Sequence, residues 1–292
     1  MLEQFKNMAM LLVAIGMLTA YDRSFAGGEK PVNSFFALDN GVGRGLWKPA
    51  QQAQTLKELD YEGIGYNYTS PGDVDVWLQE LQSRELKLFS LYMHAFPEKK
   101  DPYMPGMKEA IRKLKGTETV IWLTLRETRV KGDYDAQCVQ IVSEVADMAK
   151  DAGLSVVLYG HKGFYVATVE DCLRIAGKVN RPNVGVTFNL CHELMAGNGD
   201  RMEEIVRKAA PRLMLVTING ADKDGKPDGY IQTLGKGTFD VAGFLRILHA
   251  VGYRGPIGLQ SYNLKGDIRA NLSRSMAAWK RMTATTENKE KL

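Results

Sequence analysis

Only four histidines occur in this 292-residue chain, and three of them close apolar runs. His94 lies near the end of "LKLFSLYMHAF", His161 follows "LSVVLY", and His192 ends "VTFNLCH". Imidazole is the side chain whose ordinary pKa lies near neutrality, so it serves proton transfer or metal ligation. A single histidine at a strand end is usually structural; three of four in equivalent places suggest a shared mouth. The same run ends carry Asp39, Asn67, Tyr92, Arg126, Tyr159, Asn189, Asn219 and Gln260. Glu127, Lys162 and Tyr262 stand at the same run ends, and Arg44, Asp222 and Lys223 follow in the adjoining loops. Neutral amides and tyrosines with a few charges are what recognition of hydroxyl groups uses.

These residues need elements that bring them together. Strand-like runs fall at 34–41, 61–69, 86–96, 119–128, 154–163, 183–192, 212–220 and 256–263. Helix-period segments lie between them, such as "PAQQAQTLKELD", "DAQCVQIVSEVADMAKDAG", "VEDCLRIAGKV" and "DVAGFLRILHAVG". Asp133 is placed to cap the helix that follows it, and Gly153 and Gly252 to stop helices. Eight alternations predict an α/β fold, a single closed (β/α)8 barrel, rather than two domains. An open doubly wound sheet would alternate too, but no GxGxxG follows the first run. Alternation along the strands predicts an inward set of Ala37, Asp39, Gly65, Asn67, Ser90, Tyr92, His94, Thr124, Arg126, Tyr159 and His161. It continues with Thr187, Asn189, Thr217, Asn219, Gly258 and Gln260. Large apolar side chains are expected on the outer, helix-facing parity. In such a barrel the C-terminal strand ends form one mouth, which is where active sites occur.

Composition agrees with an ordinary globular chain: 45% hydrophobic, 25% charged, net charge +4. That charge is too mild and scattered to predict a nucleic-acid partner. "MAMLLVAIGMLTA" (8–20), with Lys6 before it and Ser24 and Ala26 after it, predicts a signal peptide over 1–26. The barrel is expected over 27–282 and a polar tail over 283–292. An exported, periplasmic protein without a stable membrane anchor is the expectation; the apolar run is short for a span. Cys138, Cys172 and Cys191 show no CxxC spacing, and the first two are expected as buried thiols.

The mature chain resembles the xylose isomerase-like TIM barrels, the sugar isomerase/epimerase group. The likeness rests on "GLSVVLYGHKGFY", "RPNVGVTFNLCH", "LVTINGAD", "LGKGTFDVAGFLRILHAVGYRGPIGLQ" and "NLSRSMAAW". It implies one divalent metal held by Glu, Asp, His and Glu from the fifth to eighth strand ends, and two glutamates that move protons beside a carbonyl. It also implies a substrate-contacting His three residues after that Asp. This sequence departs from the pattern: Tyr159 and His161 stand at the first Glu, Asn189 at the Asp, Asn219 at the His and Gln260 at the last Glu. His192 keeps its place.

Three readings follow. In the first, a sugar or keto-sugar or glycoside loses a proton next to its carbonyl, as in an isomerase, epimerase, lyase or hydratase. His161 or His192 is then the base, with Lys162 or Arg126 steadying the enolate. In the second, a divalent metal is held by a rearranged set of His161, His192 and Glu127. In the third, the barrel binds carbohydrate without chemistry. Asp39, Asn67, Tyr92, His94, Arg126, Tyr159, Asn189, Asn219, Asp222, Gln260 and Tyr262 are the expected substrate contacts.

Overall fold

Short runs of β-branched and aromatic residues form eight parallel strands in the structure, a computed structural model. It describes residues 33–127, 132–225 and 229–288, with side chains to 284. The strands are β1 (Phe35–Leu38), β2 (Gly63–Asn67), β3 (Lys87–Ala95), β4 (Val120–Leu125), β5 (Val156–Tyr159), β6 (Val184–Asn189), β7 (Leu213–Ile218) and β8 (Ile257–Leu259). Each pairs in parallel with the next, and β1 pairs with β8 as well, so the sheet closes on itself. The fold is therefore the expected single (β/α)8 barrel.

The helices that cover it are α1 (Pro49–Glu58), α2 (Pro71–Gln82), α3 (Met107–Lys113), α4 (Asp135–Asp151), α5 (Val169–Val179), α6 (Leu190–Met195), α7 (Met202–Ala209), α8 (Val241–Ala250) and α9 (Ile268–Asn288). Their apolar residues recur at helical spacing. On α5, Val169, Cys172, Ile175 and Ala176 are buried and form one stripe toward the barrel. Thr168 starts that helix with a capping box: its hydroxyl accepts from Asp171 N–H, and the Asp171 carboxylate accepts from Thr168 N–H. Pro49 and Pro71 begin α1 and α2, where a missing N–H costs nothing. Cys138, Cys172 and Cys191 are buried free thiols.

Several boundaries differ from the sequence reading. The strands stop earlier than the apolar runs do, so Asp39, Arg126, His161, Asn219 and Gln260 lie just beyond strands. His192 is not a strand residue: β6 ends at Asn189, whose side chain caps α6. The reason is local, since an Asn side chain that accepts from the N–H three residues on starts a helix rather than continuing a strand. α9 runs to Asn288, past the expected start of the polar tail at 283. The signal peptide expected over 1–26 lies outside the described residues.

Parity is also reversed on β1. Phe36 and Leu38 point into the barrel with Trp122, Val157, Tyr159 and Leu215, while Ala37 packs with the outer core. Large apolar residues thus fill the barrel interior, contrary to the expectation that they would all face the helices. Glycine makes the room. A Cβ on Gly258 would lie 2.6 Å from the Phe36 ring, and one on Gly65 would lie 3.0 Å from it.

Candidate active site

A cavity of about 410 Å³ opens at the C-terminal ends of the strands. Its floor is aromatic. Tyr159, the last residue of β5, stacks on Trp122 of β4 with centroids 4.1 Å apart and planes 11° apart. Tyr92 of β3 meets Tyr159 edge-on at 5.5 Å. Trp122 is fixed by donating from Nε1 to Thr187 Oγ1 at 2.7 Å. Trp122 is not among the expected site residues; sharing the parity of Thr124, it points inward.

One wall holds two imidazoles, His161 after β5 and His192 on α6, with ring centroids 4.0 Å apart. His161 also stacks on Phe164 at 4.0 Å, and its Nδ1 lies 3.0 Å from the carbonyl oxygen of Lys162. The Lys162 N–H points at His192 Nδ1 at 3.4 Å. Burial pushes the His192 pKa down to about 3, with the nearby His161 adding to it. His161 is shifted in the same direction, again chiefly by burial. Burial thus favours the neutral form of both rings.

The opposite wall carries Asp39, the only carboxylate among the described residues that line the cavity. One of its oxygens accepts from Arg44 and the other from Asn67 N–H at 3.0 Å. Burial pushes its carboxyl above the usual carboxylate range, and the Arg44 guanidinium offsets only part of that rise. Asn67, Lys162, Gln260 and Tyr262 also line the space, with Asn40, Met195 and Ile231, which the sequence did not single out.

The remaining expected contacts do not line the cavity. His94 and Arg126 stand behind His161 and Tyr92. Arg126 Nη1 donates toward His94 Nε2 at 3.5 Å, His94 Nδ1 donates to Thr124 Oγ1 at 2.8 Å, and that hydroxyl donates to Met93 O at 3.2 Å. Burial, then Arg126, lowers the His94 pKa to about 4. Arg126 lies over the Phe164 ring at 4.4 Å, and its Nε is buried without a partner. Asn189 donates from Nδ2 to the Tyr159 hydroxyl at 3.1 Å, and its Oδ1 accepts from His192 N–H at 3.3 Å and Cys191 Sγ at 3.0 Å. Asn219 donates to the carbonyls of Gly220 and Tyr230, and Asp222 organises the loop after β7 through Gln232 and Thr238. These five side chains make the local hydrogen bonds just described and are not among the residues lining the cavity.

The donor set does not fit the divalent metal that the resemblance implies. Three of the four ligand positions hold the amides of Asn189, Asn219 and Gln260, and the end of β5 offers Tyr159 and His161 at the fourth. The oxygens of Asn189 and Gln260 already accept protein donors, the latter from Asn40 and from Tyr262 N–H. Hard cations select anionic oxygen, with imidazole for transition metals. Nor is the alternative set assembled. Among the described residues no three of His, Cys, Asp or Glu are grouped to hold a metal, so Glu127 does not complete a triad with His161 and His192.

The sequence profile of a family described as the xylose isomerase-like TIM barrel matches residues 53–282. An inosose isomerase of Halalkalibacterium halodurans is 23% identical over 241 residues, covering 73% of this chain and 84% of that protein. A D-allulose 3-epimerase of Methylomonas sp., solved in complex with D-allulose, superposes with a TM-score of 0.70 at 20% identity. It covers 87% of this chain and 98% of that one. A 3-keto-D-glucoside 4-epimerase of E. coli gives a TM-score of 0.69 at 13% identity, covering 85% and 99%.

Proposed function

Because the chain belongs to the xylose isomerase-like TIM barrel family, we propose that it isomerises or epimerises a small keto-sugar or keto-cyclitol. The reaction moves a proton at a carbon next to the carbonyl. The single observation that carries this reading is the pair His161 and His192, with ring centroids 4.0 Å apart on the wall of the cavity at the barrel mouth. The relatives named above act on inosose, D-allulose and a 3-keto-glucoside, compounds that share an acidic C–H beside a ketone. The family resemblance implies carboxylates at a metal for that proton; here the same positions are amides, with Tyr159 and His161 at the end of β5. The two imidazoles are the cavity groups suited to replace them at neutral pH.

The rest of the lining suits such a ligand. The Trp122–Tyr159 floor offers flat apolar faces for the C–H side of a sugar ring, and Asn67, Gln260 and Tyr262 offer hydroxyl partners. Lys162 and Arg44 bring positive charge to the rim, where it favours an enolate over its ketone.

The reading is tested by incubating the purified protein with inosose, D-allulose and a 3-keto-glucoside in deuterium oxide and following each α-carbon by NMR. Deuterium uptake or epimer formation is expected with at least one, and His161→Ala and His192→Ala are expected to lower the rate by about 10²–10⁴. Tight binding without exchange would sink the catalytic reading in favour of a carbohydrate-binding barrel. Export is part of the proposal, on the sequence of residues 1–26; a mature N-terminus at Gly27 in the extracytoplasmic fraction is the expected result.

A further inference from the structure

We infer that the two active-site histidines hold opposite tautomers, fixed by the peptide groups of one residue, Lys162, and that this divides their roles: His161 is the base and His192 the oxyanion donor. A carbonyl oxygen can only accept. His161 Nδ1 lies 3.0 Å from Lys162 O, so Nδ1 carries the hydrogen and Nε2 presents its lone pair. A peptide N–H can only donate. Lys162 N lies 3.4 Å from His192 Nδ1, so that nitrogen is the acceptor and the hydrogen resides on Nε2. The two peptide groups belong to the same residue, so one local backbone conformation sets both rings.

Neighbouring contacts keep the rings in place. Phe164 stacks on His161, Asn189 Oδ1 accepts from His192 N–H, and Tyr159 flanks both imidazoles at 5.6 Å. Each ring lines the cavity. A ligand there meets one nitrogen able to take a proton and one N–H able to give a hydrogen bond.

The inference rests on the proton-transfer reading proposed above, and its step balances. His161 Nε2 takes the proton from the carbon beside the carbonyl, and the C–H electron pair becomes the new C=C bond. The carbonyl π pair moves onto oxygen, where His192 Nε2–H stabilises it without leaving its nitrogen. His161 then delivers the proton to the former carbonyl carbon, while the hydroxyl proton on the deprotonated carbon passes to the former carbonyl oxygen, so ketone and alcohol exchange places and nothing is consumed. Lys162 acts as a positioning residue through its backbone.

The tautomers are read directly by long-range ¹H–¹⁵N NMR on ¹⁵N-histidine-labelled protein at pH 7, without ligand, with His161→Gln and His192→Gln for assignment. An unprotonated Nε2 on His161 and an unprotonated Nδ1 on His192 are expected; the same tautomer on both, or the reverse pair, overturns the inference. Lys162→Pro removes the N–H and should shift His192 alone toward a mixture; if that variant does not fold, the wild-type spectrum still decides. The roles are read by solvent deuterium exchange on whichever keto-sugar proves to be turned over. A glutamine amide can donate like Nε2–H but cannot take a proton. His192→Gln should therefore recover part of the roughly 10²–10³-fold loss expected of His192→Ala, while His161→Gln recovers nothing relative to His161→Ala. Recovery in the His161 variant alone would overturn the assignment. Failure of the proton-transfer reading itself would look different: no exchange in any protein, with the NMR result unaffected.

Discussion

The Tyr159 ring lies flat on the Trp122 indole, 4.1 Å away, while its hydroxyl accepts a hydrogen bond from Asn189 Nδ2 at 3.1 Å. The residue at a family metal position is thereby tied into the barrel core on one side and the α6 cap on the other. Tyr159 is 3% exposed, so Tyr159→Ala should destabilise the fold by about 3–5 kcal/mol, the usual cost of deleting a large buried aromatic side chain. Tyr159→Phe keeps the stacking and leaves Asn189 one acceptor short, for a loss of about 1–3 kcal/mol. Urea denaturation of the two variants checks both figures; equal losses would contradict this account of the stack.

The barrel interior makes a second, independent prediction. Gly258 has no space for a side chain because Phe36 points at it from β1. Gly258→Ala should cost about 1–3 kcal/mol through overpacking, and Phe36→Leu in the same chain should return part of it. If Gly258→Ala melts like the parent, Phe36 does not occupy the barrel centre.

Metal dependence is the third. With the Asn189 and Gln260 oxygens already bonded to protein donors, titration with Zn²⁺ or Mn²⁺ followed by calorimetry should reveal no one-to-one site. Dialysis against EDTA should leave the turnover and melting temperature unchanged. Conversely, a chain carrying Tyr159→Glu, Asn189→Asp, Asn219→His and Gln260→Glu should gain divalent-metal affinity if it folds. Tight stoichiometric binding by the parent would show that its amides reorganise around an ion.

Acid should destabilise this protein earlier than carboxylate titration alone would. His94 and His192 have folded-state pKa values lowered from 6.5 to about 4 and about 3, each chiefly by burial. Arg126 and His161 face His94, and His161 faces His192, and both add to the shift. A depressed folded pKa means that folding favours the neutral ring. Its contribution is complete above about pH 6.5, where the unfolded chain is also neutral, and is lost as pH falls toward the folded values. The melting temperature should therefore decline between about pH 6.5 and 5, above the carboxylate range. His192→Gln, which cannot be charged, should flatten that slope; an unchanged slope would place the acid sensitivity elsewhere.

The architecture was legible in the residues because it follows from local periodicity. Alternating apolar strands and amphipathic helices, eight times over, leave a closed parallel barrel as the arrangement that buries both faces of every strand. Order along the chain also placed His161, His192, Asp39, Asn67 and Gln260 at one mouth, since residues at the C-terminal ends of parallel strands share an edge. The missing carboxylates at Tyr159, Asn189, Asn219 and Gln260 could be read there too, as residue identities alone.

Direction and partnership belonged to the tertiary structure. The sequence could not show that β1 turns Phe36 and Leu38 inward, because the space for them is made by Gly65 and Gly258 on two other strands. It could not separate the cavity-lining His161 and His192 from His94, which Thr124 and Arg126 hold behind the wall. Nor could it give the two imidazoles their opposite tautomers. Those follow from Lys162 lying between β5 and β6, with its N–H toward one ring and its C=O toward the other. Hydrogen bonds depend on the directions of atoms in space, and a strand end fixes only where a residue begins, not which way its polar atoms point.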